Sequence, residues 1–312
     1  ALLQELEQRG WLHREQTLGG GGTRQRRERF VAVGAAPPPA SLSKARQAIL
    51  DVVAARGEIA ASALKAHVPT APRLIRAMAA QGILRIFEKS VYRDPFGEPI
   101  QPDAPRTLNP EQAKVVSDIA AALGGGFRAF LLAGVTGSGK TEVYLHLARK
   151  VLDMGLPVLV LVPEIALISQ MERRFRARFG DAVAVLHSGL SAGERYDQWL
   201  RVLSGTATVV IGARSAVFAP LQRPGLVIVD EEHDTSYKQG SDLLYNARDL
   251  AVVRAKFADA VAVLGSATPS VHSCYNARTG KFTELRIRRR VASRPLPEIT
   301  VVDLRKTADV RG

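Results

Sequence analysis

The sequence predicts an α/β fold in which a parallel sheet carries a phosphate-binding loop, with a small winged-helix domain before it. Short apolar runs recur between residues 127 and 264 and alternate with helical patterns. This alternation is typical of parallel strands that helices cover on both faces. A glycine-rich loop separates the first apolar run from the helical pattern that follows it. Three short helical patterns and an alternating stretch precede this region.

The first 42 residues are predicted to be mostly linker. Residues 1–9 have the pattern of a short amphipathic helix, and the glycines and arginines of residues 19–27 indicate a flexible basic segment. Residues 35–40 read Ala-Ala-Pro-Pro-Pro-Ala and predict a stiff connection. The next domain is therefore expected to begin near residue 43.

Residues 43–97 predict the winged-helix domain. Its elements are helices at 44–56, 60–68 and 71–81 and a small hairpin at 83–92. We expect Thr70 to cap the third helix, which presents Arg73 and Arg76 on one face, where a recognition helix contacts DNA. A helical module for protein contact is the open alternative, because winged helices often do not read bases. The proline-rich residues 98–106 predict a linker.

Residues 107–285 predict the sheet lobe. Its strands are expected at 127–133, 158–162, 183–186, 208–211, 226–229 and 261–264. Because ligands bind outside the carboxyl ends of parallel strands, the residues after each run are the candidates for chemistry. Residues 286–312 are predicted to be a basic segment, with arginines at 286, 288, 289, 290 and 294.

Residues 134–141 read Gly-Val-Thr-Gly-Ser-Gly-Lys-Thr, which has the G-x-x-x-x-G-K-[ST] spacing of a phosphate-binding loop. Glycines allow successive backbone N–H groups to face one concavity at a helix start. We expect Lys140 to contact the β- and γ-phosphates and Thr141 to contact Mg²⁺. The nucleotide-binding residues predicted from this loop are Gly134, Thr136, Gly137, Ser138, Gly139, Lys140 and Thr141. A glycine-rich turn without phosphate is the alternative.

Four polar residues follow the strand at 226–229: Asp230, Glu231, Glu232 and His233. In ATPases with this loop, a carboxylate at a strand end holds Mg²⁺ and a neighbouring one polarises the attacking water. We assign Asp230 to the metal and Glu231 to the water, with an exposed acidic turn as the alternative. Residues 265–269 read Gly-Ser-Ala-Thr-Pro, and the hydroxyls of Ser266 and Thr268 could bond His233, although a plain turn also explains them.

Composition bounds the function further. The 312 residues include 43 Lys and Arg against 30 Asp and Glu, a net charge of +13. This excess attracts polyanions, with nucleic acid the first candidate and an acidic membrane surface the second. The single cysteine, Cys274, excludes an internal disulfide framework or a multi-cysteine zinc site in this chain. No apolar run is long enough for a membrane span and no export signal begins the chain, which predicts a cytoplasmic protein.

Residues 230–233, Asp-Glu-Glu-His, are called the DEEH box below. The phosphate loop, the DEEH box and the Gly-Ser-Ala-Thr-Pro loop, in this order, resemble a superfamily 2 helicase. More closely, residues 134–145, 161–167, 186–191, 212–220 and 230–239 resemble the family of primosomal replication-restart DNA helicases. The resemblance implies a RecA-like ATP-binding lobe, ATP and Mg²⁺ as cofactors, and a role for Gln112 in reading adenine. It also implies that His233, with Ser266 and Thr268, couples hydrolysis to DNA.

The same resemblance implies DNA contacts in the lobe and places an aromatic-rich DNA sensor after the DEEH box. The residues implied are Ile165, Arg214, Ser215, Ser236, Tyr237, Lys238, Gln239 and Tyr245. For Ile165, Arg214 and Ser215 a structural role is the open alternative. The loop departs from the family at 240–244, which lacks an aromatic, and at Asn246, where a histidine is usual.

The resemblance further implies forked and single-stranded DNA, helicase-loading primosome proteins and single-stranded-DNA-binding protein as partners, with no membrane. Residues 1–42 would then contain the end of an amino-terminal DNA-binding domain. The family's second lobe and its zinc-binding cysteines are not found in this sequence, so we expect a fragment or a degenerate relative. A lobe without the arginine of the second lobe would hydrolyse ATP slowly, since such an arginine contributes roughly 10³ to 10⁵ in rate.

Two other functions compete with an ATP-dependent helicase for replication restart. One is a pseudohelicase scaffold that binds DNA forks and recruits the helicase loader without unwinding. The other is a small-molecule phosphotransferase, which predicts neither the sensor loop nor the excess of positive charge. Unwinding polarity, oligomeric state and preferred fork cannot be deduced from the sequence.

Overall fold

A computed structural model describes residues 23–291 except 24, 40, 94, 96–99 and 241–242. The predictions for residues 1–9, for Arg24 and for the basic segment from 292, including Arg294, lie outside the described residues. The described part forms two compact units. The first contains the residues before position 99 together with 190–200, and the second contains the remainder.

Before position 99, the first unit combines three α-helices with a three-stranded sheet among its described residues. Its elements are β1 (Arg26–Val33), α1 (Lys44–Arg56), β2 (Glu58–Ala60), α2 (Ala61–His67), α3 (Ala71–Ala80) and β3 (Leu84–Val91). Strand β1 lies in the middle and pairs antiparallel with both others. The helices bury Ile49, Leu64, Ile75 and Met78 in a common core with Val31 of β1.

Two sequence predictions about this unit are wrong. The stretch at 83–92 is not a hairpin but one strand, β3, which pairs along its whole length with β1. Strand β1 itself lies in the stretch predicted to be linker, where arginines obscure the strand pattern. The three helices occur where predicted, and Arg73 and Arg76 are exposed on α3. Thr70 precedes α3, but its side chain makes no capping hydrogen bond.

The second unit is built on a seven-stranded sheet, counted over the described residues. Its strands are β4 (Arg128–Gly134), β5 (Val158–Leu161), β6 (Val183–Leu186), β7 (Val209–Gly212), β8 (Leu226–Val229), β11 (Val261–Ser266) and β12 (Thr283–Ile287). Their order across the sheet is β12-β4-β11-β8-β5-β7-β6, and every neighbouring pair is parallel. The predicted parallel α/β lobe is therefore confirmed.

The described residues also form further α-helices and two short strands. They are α4 (Pro110–Ala120), α5 (Lys140–Asp153), α6 (Ile165–Phe179), α7 (Ala192–Leu203), α8 (Ala247–Phe257), α9 (Val271–Arg278) and the short strands β9 (Lys238–Gln239) and β10 (Tyr245–Asn246). None of the described helices is long and apolar enough to cross a membrane.

Strand β12 was not predicted, and it extends beyond the boundary placed at residue 285. Its sequence, Thr-Glu-Leu-Arg-Ile, is mostly polar because it lies at the edge of the sheet. It pairs with β4, and the chain then continues along the phosphate loop. There the N–H of Val291 donates to the carbonyl of Gly137 at 3.0 Å, and the N–H of Val135 donates to Ile287 at 3.2 Å.

Candidate nucleotide-binding and hydrolysis site

The phosphate loop connects the buried strand β4 to the start of α5. Gly137 and Gly139 both have left-handed backbone conformations, with φ of 78° and 79°. A side chain at Gly139 would also collide with the amide of Gln112. These two constraints explain why glycine occupies positions 137 and 139. The free backbone N–H groups at the start of a helix are suited to binding phosphate.

Lys140 is the first residue of α5 and is almost completely buried. Its Nζ donates to the carbonyl of Gly134 at 3.1 Å and lies 3.5 Å from Oε1 of Glu231. The buried Oγ of Ser138 has no hydrogen-bond partner among the described residues. The loop therefore holds a positive charge and a polar atom that a phosphate could satisfy, so its residues fit a nucleotide.

Asp230 follows β8 at the carboxyl edge of the sheet. The hydroxyl of Tyr144, from α5, donates to its Oδ1 at 2.9 Å. Burial raises the pKa of Asp230 from its ordinary value of 3.8 to about 6, although this hydrogen bond opposes the rise. A bound Mg²⁺ would favour the charged form, so the carboxylate is placed where a cation would stabilise it.

Glu231 occupies a strained backbone conformation, with φ of 43°. Its Oε1 lies 3.5 Å from Nζ of Lys140, and its Oε2 lies 3.6 Å from Nδ1 of His233. Left-handed conformations of residues other than glycine are costly and occur often at functional positions. The turn thus directs one carboxylate towards both Lys140 and His233.

His233 contacts the loop that follows β11. Its Nδ1 lies 2.8 Å from Oγ of Ser266, which also accepts from the N–H of Thr268 at 3.0 Å. The hydroxyl of Ser266 thus joins the DEEH box to the Gly-Ser-Ala-Thr-Pro loop, as predicted for its side chain. The hydroxyl of Thr268 is not needed for this contact, because only its backbone takes part.

A family model described as DEAD/DEAH box helicase matches residues 109–276, which is more than half of the chain. The chain belongs to the DEAD/DEAH box helicase family. The match spans the phosphate loop, the DEEH box and the Ser266 loop described above.

Among relatives of this helicase chain are several named replication restart protein PriA. The one from Bacillus subtilis is 42% identical over 266 residues, which are 84% of this chain and 33% of the relative. The one from Synechocystis is 44% identical over 80% of this chain and 30% of the relative. The one from Treponema pallidum is 48% identical over 64% of this chain and 30% of the relative. The chain thus spans about a third of the length of these relatives.

Solved structures give a weaker likeness. A structure of RecG bound to a three-way DNA junction is 25% identical, with a TM-score of 0.46 over 59% of this chain and 24% of RecG. The assignment of the helicase fold therefore depends on the family model and on the sheet itself.

Gln112 lies beside the phosphate loop of the helicase chain and is buried. Its Oε1 accepts the N–H of Asn109 at 2.9 Å in a capping box that begins α4, and its Nε2 donates to the carbonyl of Ser138 at 2.8 Å. In the structure the amide therefore connects α4 to the loop. Its role in reading adenine stays a prediction.

The structure corrects one predicted DNA contact. The ring of Tyr237 is 1% exposed, and its hydroxyl donates to the carbonyl of Asp230 at 2.6 Å. A buried ring cannot stack on a base, so the expectation for Tyr237 is wrong. Its aromatic character reflects core packing beneath the DEEH box.

The other predicted DNA contacts lie in several places. Lys238 and Gln239 form β9, paired with Tyr245 and Asn246 of β10, and Lys238 is exposed. The hydroxyl of Ser236 donates to the carbonyl of Pro163 at 3.0 Å. For Ile165 only its place at the start of α6 is described.

Arg214 and Ser215 lie in the short helix Arg214–Phe218 after β7, with Ser215 exposed. Arg214 donates to the carbonyl of Lys238 at 3.4 Å, which brings it next to the hairpin of β9 and β10. The ring of Tyr245 meets Phe218 edge-on at 5.2 Å, and Phe218 is 49% exposed. Sequence reasoning missed Phe218, since only the fold brings it beside Tyr245.

Tyr144 is a further residue that the sequence did not single out. It occupies a helical core position and yet holds Asp230. Gly265 makes this contact possible, because a side chain there would overlap the hydroxyl of Tyr144. The sequence signal was present in the glycine before Ser266, but its partner lies on a distant helix.

Gly265→Ala is expected to displace Tyr144 and destabilise the protein by about 1–3 kcal/mol, a usual cost of overpacking. Denaturant unfolding measures this loss. Tyr144→Phe removes the overlapping hydroxyl, so the double variant is expected to be more stable than the sum of the single effects predicts. Strict additivity would contradict this account of Gly265.

Proposed function

We propose that the chain is the ATP-binding lobe of an ATP-dependent DNA helicase that acts in replication restart. The observation that carries this proposal is the convergence of Lys140, Asp230 and Glu231 at one sheet edge, with Glu231 3.5 Å from the lysine. Membership of the helicase family supports the reaction class, and the PriA relatives support the biological role.

Each residue of the site has a chemical task in this proposal. Backbone N–H groups of residues 134–139 and the Lys140 ammonium hold the β- and γ-phosphates. Thr141 and Asp230 would hold Mg²⁺, which supplies charge neutralisation when bound with ATP. Glu231 orients and deprotonates the attacking water. His233 reports the state of this carboxylate to Ser266.

The DNA partners we propose are forked and single-stranded DNA. In this proposal Arg73 and Arg76, which are exposed on α3, contact duplex phosphates, and Arg214, Lys238 and Tyr245 contact a single strand. The protein partners we propose are helicase-loading proteins and single-stranded-DNA-binding protein. The proposed location of the protein is the cytoplasm. The winged-helix assignment of the first unit belongs to this proposal.

A pseudohelicase scaffold is the second candidate, motivated by Asn246 and by residues 240–244. The presence of Lys140, Asp230 and Glu231 at one edge of the sheet argues against it. We expect this chain alone to hydrolyse ATP slowly, because a second lobe would supply the arginine that stabilises the transition state.

Full-length protein is expected to hydrolyse ATP faster when a forked or single-stranded oligonucleotide is added. Its DNA affinity should fall steeply with salt, since phosphate contacts release counterions. A coupled ATPase assay and fluorescence anisotropy measure the two effects. ATP hydrolysis that no DNA stimulates would contradict the helicase, and absence of hydrolysis with DNA binding intact would favour the scaffold. A small-molecule phosphotransferase would show no steep salt dependence.

A further inference from the structure

Glu232, the third residue of the DEEH box, has no part in the mechanism above, yet it is 1% exposed and fully engaged. Its Oε1 accepts the N–H of Ser270 at 2.7 Å. Its Oε2 accepts from the hydroxyls of Ser270 and Ser273 at 3.0 and 2.8 Å, and from Nη1 of Arg248 at 3.4 Å. This carboxylate therefore joins the DEEH box to α9 and α8.

Arg248 connects Glu232 to the hairpin of β9 and β10. It lies in the first turn of α8, where its N–H donates to the side chain of the capping residue Asn246 at 3.0 Å. Asn246 is also the last residue of β10 and pairs with Lys238. Only Ala247 therefore separates Arg248, whose guanidinium contacts Glu232, from the hairpin that holds the proposed single-strand contacts.

The guanidinium of Arg248 is held on several sides. Besides Glu232, it contacts Oγ of Ser270 at 3.2 Å, Nδ1 of His272 at 3.2 Å and Oδ1 of Asp249 at 2.9 Å. Arginine can make these contacts together because its donors are fixed in one plane. A displacement of the start of α8 would therefore change the bonds of Glu232 rather than be absorbed by a loose side chain.

Glu232 is placed to transmit such a displacement to the hydrolytic residues. It lies between Glu231 and His233 in the chain, and its own N–H donates to the carbonyl of Gly265 at 3.0 Å. Its neighbours contact Lys140 and Ser266. The turn that carries Glu231 is strained, so a small change at Glu232 alters where that carboxylate lies.

We propose that Glu232 and Arg248 form a coupling pair, in which Glu232 is the positioning residue that links DNA contact at the hairpin to the placement of Glu231. The proposal rests on the helicase function proposed above. A buried ion pair contributes little net stability compared with apolar residues, so stabilisation alone is a weak reason for such a site.

The test compares Glu232→Gln and Arg248→Gln with the wild type in the full-length protein. ATP hydrolysis is measured without DNA and with saturating oligo(dT), and DNA affinity by anisotropy. We expect the ratio of stimulated to unstimulated hydrolysis to fall about tenfold, within the usual range of coupling between two sites. The double variant is expected to match the single variants, because each breaks the same link.

Glu172→Gln provides the matched control. Glu172 pairs with Arg176 at 3.1 Å within α6, and both side chains are largely buried, as in the coupling pair. We expect this variant to keep the wild-type ratio. Ser273→Ala removes one hydrogen bond from Glu232 without changing a charge, and it should lower the ratio in the same direction by a smaller factor, even if Glu232→Gln does not fold.

An unchanged ratio in folded Glu232→Gln or Ser273→Ala would overturn the proposal. An equal fall of both rates that follows a lower melting temperature would also overturn it, since that is the result of a purely structural role. Failure of the underlying function is distinguishable, because wild-type protein would then show no stimulation by oligo(dT), and the coupling pair would have no DNA signal to transmit.

Discussion

Replacing Glu231 by glutamine is expected to lower ATP hydrolysis about 10²–10⁴-fold, the usual contribution of a general base. Glutamine has nearly the same shape but cannot take a proton from water. Nucleotide binding is expected to persist, because the phosphate loop and Lys140 remain. A fluorescent ATP analogue measures binding, and phosphate release under saturating DNA measures hydrolysis.

Lys140→Ala is the matched comparison. It removes the ammonium that lies 3.5 Å from Glu231, so both binding and hydrolysis are expected to decrease. Comparing the two variants therefore separates the effect on nucleotide binding from the effect on ATP hydrolysis. Hydrolysis by Glu231→Gln within a few-fold of wild type would show that another group activates the water.

Asp230→Asn is expected to stabilise the protein without Mg²⁺ at pH 7.5 while abolishing hydrolysis. Burial raises the pKa of Asp230 from 3.8 to about 6, so the folded state holds the proton more tightly than the unfolded state does. The charged carboxylate therefore lowers the free energy of unfolding increasingly as the pH rises from about 4 to about 6. The full difference is roughly 3 kcal/mol.

Thermal unfolding in EDTA at pH 4 and pH 7.5 measures this effect. The gain from Asp230→Asn should be present at pH 7.5 and mostly lost at pH 4, where the carboxyl is protonated in the folded state and partly protonated in the unfolded state. Asp153→Asn, at a largely exposed position, should change stability by less than about 0.5 kcal/mol at either pH. An equal gain at both pH values would show that charge burial is not the cause.

Much of the sheet lobe could be predicted because its signals are local. Strand β5 and strand β8 are each four consecutive apolar residues that are fully buried. The phosphate loop was predictable for the same reason, since its glycines and Lys140 are consecutive. The DEEH box follows directly from the end of β8, so chain order alone brings Asp230 to the carboxyl edge.

What the sequence did not reveal depends on contacts between distant residues. Strand β1 is recognisable only through its partner β3, which follows it by some fifty positions. Tyr237 has the composition of a DNA contact, a tyrosine beside a lysine, and burial decides otherwise. Tyr144 and Gly265 make sense only as a pair, and Glu232 only once α8 and α9 pack beside the DEEH box.

The order of strands in the sheet has a consequence for biosynthesis. Strand β4, which leads into the phosphate loop, is the first strand of this sheet to leave the ribosome, but its neighbours β11 and β12 are the last. Until both have emerged, β4 lacks at least one of the two strands that pair with it. We therefore expect a nascent chain to acquire nucleotide affinity only when translation has passed the end of the sheet.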